Sequence, residues 1–75
     1  MKKDFLVLLV SQNIKKYRNK KGLSQEALAH RAGLNPRHLQ KIEVAQVNLT
    51  LKTVSKLASA LGIEPTELLS KGVGD

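Results

Sequence analysis

The 75-residue chain contains no cysteine and only one phenylalanine and one tyrosine. The absence of cysteine excludes a disulfide framework and a thiolate zinc site, and it fits a protein of the reducing cytoplasm. Two aromatic rings also offer few platforms on which single-stranded bases could stack. A chain this short folds as one small domain, which buries only about 60 to 65% of its unfolded surface.

Long apolar runs are scarce as well. The run FLVLLV at residues 5–10 has six residues, whereas an apolar signal core needs about 7 to 15 residues and a membrane-spanning helix about 20. No small-residue cleavage site follows it. We therefore expect neither a signal peptide nor a membrane association, and we interpret the run as the buried beginning of the first helix.

Acidic residues are few in comparison with basic ones. Six Asp and Glu stand against thirteen Lys and Arg, which gives a formal net charge of +7, and five of the basic residues lie within residues 15–21. An excess of this size implies a polyanionic partner. On charge alone, a basic surface that is merely well solvated is the alternative.

Helical periodicity is the main positive signal in the sequence. Apolar residues recur at steps of three and four without sustained alternation by two, which predicts an all-α fold of five short helices around one core. Helix 1 spans roughly residues 4–20, and Gly22 suits a left-handed position after its end. Ser24 is a good N-cap for helix 2, and Gly33 ends that helix.

A very short connection leads from helix 2 into helix 3. Asn35 is a strong N-cap, and Pro36 lies in the first turn, where its missing N–H costs nothing and its fixed φ suits a helix. Helix 3 runs to about Val44. The two helices and the three-residue turn from Gly33 make a helix-turn-helix, in which the small Ala29 lets the helices cross closely.

The second half of the chain continues this pattern. Thr50 caps helix 4, Gly62 ends it, and Pro65 opens a short last helix. Residues 71–75 form a frayed tail, because they contain little to bury. The apolar residues expected to face the core are Phe5, Leu6, Leu9, Val10, Ile14, Tyr17, Leu28, Ala29, Ala32, Leu34, Leu39, Ile42, Leu51, Val54, Leu57, Ala58 and Leu61.

The chain resembles the lambda-repressor-like, Cro/CI-type helix-turn-helix family in the segments GLSQEALAHRAGLNPRHLQKIE and LTLKTVSKLASALGIEPTELL. The resemblance covers roughly residues 10–70, which we interpret as a DNA-binding domain, and residues 1–9 are an apolar extension of helix 1. Residues 48–51 also resemble the small stand-alone regulators of this family, including controller proteins of restriction-modification systems. The positions in the family's register are Ser24, Gln25, Leu28, Ala29, Gly33, Leu39, Ile42, Glu43, Leu57, Ala58, Leu61, Gly62 and Leu68.

The resemblance implies a sequence-specific transcriptional regulator of double-stranded DNA, with helix 3 in the major groove of a pseudo-palindromic operator. It implies base contacts at Pro36, Arg37 and Lys41, with Gln40 on the same outward face. Pro36 can offer only an apolar contact, for instance to a thymine methyl group. Arg37 suits a bidentate contact to guanine O6 and N7, and Lys41 could reach the same acceptors one turn later. A phosphate contact or a solvated charge is the alternative for both cations.

Phosphate contacts are expected around helix 3. Gln25 resembles the family's phosphate-contacting glutamine, and its amide and the free N–H groups of helix 2 would point at the same anion. A local hydrogen bond from Gln25 to helix 3 is the alternative, and the two can coexist. For His38, a DNA contact and a solvated side chain are equally open. The remaining phosphate candidates are Asn35, Asn48 and Thr50.

Arg18 and Glu43 match a family pair that bonds internally and joins helix 1 to the end of helix 3, so we expect a structural ion pair. The chain departs from the family pattern directly afterwards, because Val44 and Ala45 stand where Arg-Gly is frequent. Alanine in a left-handed cap costs about 1 kcal/mol relative to glycine, so helix 3 either runs on or closes differently. Val47 likewise replaces a common basic residue.

A homodimer is expected, because one short helix contacts too few bases and two-fold symmetry places half-sites about one DNA turn apart. The rival interpretation is a protein-interaction module on the same fold, such as an antitoxin or a bridging factor, with an apolar surface at Val44, Val47 and Leu49. RNA binding through the basic helix 1 is a third. The candidate dimer-interface residues are Phe5, Val47, Leu49, Leu68 and Leu69.

An enzymatic function is not expected. His30 and Glu26 lie four residues apart on helix 2, but no third metal ligand, nucleophile or glycine-rich phosphate loop accompanies them. We therefore predict no catalytic site, no metal site, no cofactor and no small-molecule ligand.

Overall fold

The computed structural model describes residues 5–71, which form five α-helices joined by short loops. No strand occurs within that range, so the predicted all-α fold with five helices is confirmed. The first four residues of the predicted N-terminal extension and the last four of the predicted tail lie outside the described residues. The helices are α1 (Phe5–Lys20), α2 (Gln25–Ala32), α3 (Pro36–Glu43), α4 (Leu51–Leu61) and α5 (Pro65–Leu68).

Three helices begin at the side-chain caps that the sequence indicated. The side-chain oxygens of Ser24 and Asn35 accept backbone N–H groups of the following turn at 3.0 and 2.8 Å. The hydroxyl of Thr50 accepts one at 3.1 Å. Each bond satisfies a donor that has no acceptor within its own helix. The caps fix where α2, α3 and α4 start.

The end of α3 departs from the ends of the other long helices. A glycine with φ between 69° and 72° follows α1, α2 and α4, whereas α3 is followed by Ala45 with φ 58°. The N–H of Ala45 donates to the carbonyl of Ile42 at 3.0 Å, and that of Gln46 donates to the carbonyl of Lys41 at 2.9 Å. These two bonds form a Schellman motif. Helix α3 therefore ends at Glu43 and closes around an alanine.

Replacing Ala45 with glycine is expected to stabilise the protein by about 1 kcal/mol, because glycine adopts a positive φ without the clash of a Cβ atom. Urea denaturation would show a higher midpoint with an unchanged slope. Ala27→Gly, inside α2, is the matched control and should lower the midpoint. If both variants lowered it alike, the left-handed strain at position 45 would be refuted.

The core draws apolar side chains from all five helices. The predicted core positions Leu28, Leu39 and Leu57 have no exposed surface. Ala29 is also fully buried, which is consistent with a close crossing of α2 and α3. The buried apolar residues are Val10, Ile14, Leu28, Ala29, Ala32, Leu39, Ile42, Val54, Leu57, Ala58, Leu61 and Leu68.

Three residues predicted to be buried are exposed. The side chains of Phe5 and Leu6 are each more than half exposed, and that of Leu51 is 84% exposed. Full burial in α1 begins at Val10, whereas residues 7–9 are half-buried. Leu51 is the first residue of α4 and borders the same groove as Leu6. The expectation of a buried beginning for helix 1 was therefore wrong for Phe5 and Leu6.

Leu68 was expected at a dimer interface, and this prediction was wrong, because its side chain has no exposed surface. Asn13 Nδ2 donates to the carbonyl of Leu68 at 2.8 Å. The same amide group donates to the carbonyl of Ser70 at 2.7 Å. Helix α5 has four residues, too few to be stable alone. One buried leucine and the amide of Asn13 tie it to α1, while the next residue, Leu69, remains exposed.

Candidate nucleic-acid interface

Helix α3 buries one face and exposes the other. Leu39 and Ile42 point into the core, and Glu43 is also buried. All side chains that the sequence placed on the outward face are exposed, which leaves a ridge free to contact a partner. This outward face consists of Pro36, Arg37, His38, Gln40, Lys41 and Val44.

Two shallow grooves flank the ridge of α3. The first has a volume of about 420 Å³ and lies between the start of α2 and the start of α3. The second has a volume of about 530 Å³ and runs along the second half of α3. Arg37 and Gln40 line both. The first groove is lined by Gln25, Glu26, Asn35, Pro36, Arg37 and Gln40, and the second by Arg37, Gln40, Lys41, Val44 and Gln46.

The ridge is positively charged and offers its donors to solvent. Within residues 5–71 the side chains of Arg37 and Lys41 make no ion pair or hydrogen bond. Four residues separate them, so they project from one side of α3 about 6 Å apart along its axis. An α-helix fits into the major groove of B-DNA, where guanine presents two acceptors. The arrangement can therefore donate hydrogen bonds to base edges.

A hydrogen-bonded network beneath the ridge joins three helices. Arg18 Nε donates to Glu43 Oε2 at 2.7 Å, and Arg18 Nη2 donates to Oε1 at 3.1 Å. Arg18 Nη1 also donates to the carbonyl of Leu23 at 2.8 Å. The side chain of Glu43 is 2% exposed and that of Arg18 is 12% exposed. The bidentate geometry fixes the end of α3 against α1.

The amide of Gln25 belongs to the same network. Its Nε2 donates to Glu43 Oε1 at 3.0 Å, so the local bond to helix 3 that the sequence left open is present. Gln25 is half-buried at the first turn of α2 and lines the first groove. Its second amide N–H is left for another acceptor. The first turn of α2 also carries backbone N–H groups that have no acceptor within the helix.

The other phosphate candidates differ in whether their polar groups are already hydrogen-bonded. His38 and Asn48 are exposed. The oxygen of Asn35 is used as the cap of α3, whereas its NH₂ group makes no bond with the described residues. The hydroxyl of Thr50 both accepts a backbone N–H and donates to Thr53 Oγ1 at 3.0 Å. A phosphate contact by Thr50 would therefore require the loss of that donated bond.

Gln46 is a site residue that the sequence analysis missed. The Schellman motif at the end of α3 bonds its N–H to Lys41 and folds it back, so that it lines the second groove beside Arg37. The sequence offered one signal, a closure of helix 3 at Ala45, but it left open whether the helix ended there.

A second exposed surface is apolar, and we call it the leucine groove. It has a volume of about 200 Å³ and is formed by the first half of α1, the loop before α4, the start of α4 and the residue after α5. Of the predicted interface residues, Leu49 and Leu69 border it, whereas Val47 packs against the core. Its lining residues are Leu6, Val7, Val10, Leu49, Leu51, Val54 and Leu69.

Two other features are absent from the part of the chain that the structure describes. Among residues 5–71 no group of three or more His, Cys, Asp or Glu side chains is placed to hold a metal ion. None of the five helices has the length and apolar composition that crossing a membrane requires.

Comparison with known proteins gives consistent matches. The family model described as Helix-turn-helix matches residues 14–68. The control protein C.SmaI of Serratia marcescens is 36% identical over 63 residues, which are 84% of this chain and 75% of that protein. The crystal structure of the restriction-modification controller protein C.AhdI from Aeromonas hydrophila is 42% identical, with a TM-score of 0.80, and covers 83% of this chain and 94% of that one.

A further solved structure shows a related protein on DNA. The restriction-modification controller protein C.Esp1396I, a tetramer in complex with its natural 35 base-pair operator, is 32% identical, with a TM-score of 0.80. The match covers 91% of this chain and 100% of that one. The family model spans the second half of α1 through α5, and thus contains the whole helix-turn-helix. The chain therefore belongs to the Cro/CI-type helix-turn-helix family of DNA-binding transcription regulators.

Proposed function

We propose that this protein is a sequence-specific transcriptional regulator that binds a pseudo-palindromic operator as a homodimer, with α3 in the major groove. The observation that carries the proposal is the exposed ridge of α3, on which Arg37 and Lys41 have no partner within residues 5–71. The related controller protein that was solved in complex with its natural operator supports binding to operator DNA.

The roles of the two cations follow from their spacing. Arg37 contacts guanine O6 and N7 through its planar fork, which makes two parallel hydrogen bonds. Lys41 lies about 6 Å further along α3, one turn away, so it faces a different part of the groove from Arg37. Pro36 supplies apolar contact at the start of the helix, and Gln40 lines both grooves beside Arg37. Each half-site is therefore read at more than one base pair.

Phosphate contacts fix the orientation of α3. Four residues on or beside the ridge offer neutral or weakly basic donors. They are Gln25, Asn35, His38 and Asn48. The amide of Gln25 and the free N–H groups at the start of α2 meet one phosphate, which the positive end of the helix dipole favours.

Gln25→Ala is expected to weaken binding to every DNA sequence by about the same factor, three- to tenfold for each half-site, which corresponds to one hydrogen bond of about 0.5 to 1.5 kcal/mol in each protomer. Fluorescence anisotropy on operator and random duplexes over a range of salt would measure it. The slope of log K against log salt should not change, because no charge is removed. Gln12→Ala, an exposed glutamine of α1, is the control. A loss confined to the operator would contradict the phosphate role.

The leucine groove is the proposed dimer surface. Leu6, Leu51 and Leu69 are exposed along it, and no part of residues 5–71 covers it. A two-fold axis would bring the same apolar surface of a second copy over it and set two α3 helices about one DNA turn apart. The tetrameric assembly of the related controller on its operator supports association on DNA.

Leu51→Glu is expected to raise the dimer dissociation constant at least tenfold, because it places a charge in an apolar interface. The monomer should fold normally, since a carboxylate in the first turn of α4 favours the helix dipole. Ser55→Glu, exposed on the same helix and outside the leucine groove, is the matched control. Sedimentation equilibrium would measure both. A wild-type chain that stays monomeric at high micromolar concentration, with and without DNA, would refute the dimer.

The whole proposal is tested by selecting bound duplexes from a random DNA pool at about physiological salt, where non-specific binding is largely suppressed. A regulator of this kind enriches one two-fold symmetric sequence. If no sequence were enriched, the protein would not be a sequence-specific reader. The protein-interaction alternative would then be preferred, and a search for a protein partner would follow.

A further inference from the structure

Val44 is the apolar member of an otherwise polar groove. Its side chain is 54% exposed, and the other lining residues of the second groove are Arg37, Gln40, Lys41 and Gln46. It does not border the leucine groove, so the proposed dimer surface does not account for it. Whatever approaches Arg37 and Lys41 along this groove also approaches an exposed valine.

Helical geometry aligns Val44 with the reading side chains. Seven residues separate it from Arg37, which is almost two turns, so the two side chains lie nearly in line about 10 Å apart along the axis. Lys41 lies between them on the same strip. The helix ends before the left-handed turn at Ala45, which makes Val44 the last residue of the ridge.

In the major groove the apolar feature of a base edge is the 5-methyl group of a pyrimidine. Guanine and adenine present hydrogen-bonding atoms there, whereas thymine adds a methyl group, which apolar side chains contact. Val44 follows the donors Arg37 and Lys41 on the ridge. It is therefore suited to contact a methyl group on a base beyond those that Arg37 and Lys41 read.

We infer that Val44 is a specificity-determining residue that contacts the 5-methyl group of a thymine, beyond the base pairs that Arg37 and Lys41 read. This inference rests on the proposed function, because it requires α3 to lie in the major groove. It assigns an apolar reader to each end of the ridge, since Pro36 occupies the other end.

The test replaces each thymine of the selected operator with deoxyuridine, one symmetric pair of positions at a time, because this change removes only the methyl group. Wild-type protein should bind the duplex altered at the Val44 position about fourfold more weakly for each half-site, the factor for one buried methyl group. Val44→Ala should show no such loss at that position, and Pro36→Ala should still show it. Thermal unfolding would verify that the variants are folded.

Three results would decide the matter. A methyl-dependent loss that disappears only in Val44→Ala supports the inference. A loss that persists in Val44→Ala, or no methyl dependence outside the position facing Pro36, overturns it and leaves the proposed function intact. If no operator can be selected from a random pool, the proposed function fails and the inference fails with it.

Discussion

Replacing Arg37 with alanine is expected to abolish discrimination at one base pair in each half-site of the operator. A bidentate contact to guanine contributes about 1 to 3 kcal/mol of discrimination, a factor of roughly 10 to 100. Arg37 is exposed at the start of α3 and lines both grooves, where the bases of a bound duplex would lie. The variant should therefore bind the operator and a duplex changed at that base pair with nearly equal affinity.

The measurement compares dissociation constants for these two duplexes with wild-type and variant protein. Arg31→Ala is the matched control, because Arg31 is exposed on α2, lines neither groove and carries the same charge. The control should leave the ratio of the two constants unchanged. If Arg37→Ala weakened both duplexes by one common factor, Arg37 would be a phosphate contact and the assignment would be wrong.

Replacing Glu43 with alanine is expected to destabilise the fold by about 3 to 5 kcal/mol, because removing one partner of a buried ion pair leaves the other charge uncompensated. Glu43 accepts two bonds from Arg18 and one from Gln25, and its side chain is 2% exposed. Small domains have about 5 kcal/mol or somewhat more of total stability, so the variant should lose most of it and unfold at a much lower urea concentration.

Urea denaturation and circular dichroism would measure this loss. The double variant Arg18→Met with Glu43→Leu is the control, because apolar side chains of similar size often replace a buried ion pair at little cost. It should regain most of the stability that Glu43→Ala loses. A Glu43→Ala protein as stable as wild type would show that the network contributes no net stability.

The parts of the fold that depend on neighbouring residues were predictable from the sequence. The caps at Ser24, Asn35 and Thr50 act on N–H groups two or three residues away, so their residue types sufficed. The outward face of α3 also followed from periodicity, because burying Leu39 and Ile42 settles where the other side chains point.

Features that depend on contacts distant in sequence were not predictable. Leu68 ends the one-turn helix α5 and Leu69 directly follows it, and the burial of Leu68 comes from its packing in the core and the bond from Asn13, 55 residues away. Asn13 itself resembles any surface asparagine within a helix. The exposure of Phe5 likewise depends on where the other helices end, which the spacing of apolar residues in α1 does not reveal.

The most direct test of α3 as a reader in the major groove is a methylation-interference experiment on the selected operator with dimethyl sulfate. This reagent methylates guanine N7 in the major groove and adenine N3 in the minor groove. We predict interference at guanine N7 in two symmetric half-sites about one DNA turn, roughly 10 base pairs, apart. Interference confined to adenine N3, or absent from guanines, would contradict the claim that Arg37 and Lys41 read the major groove.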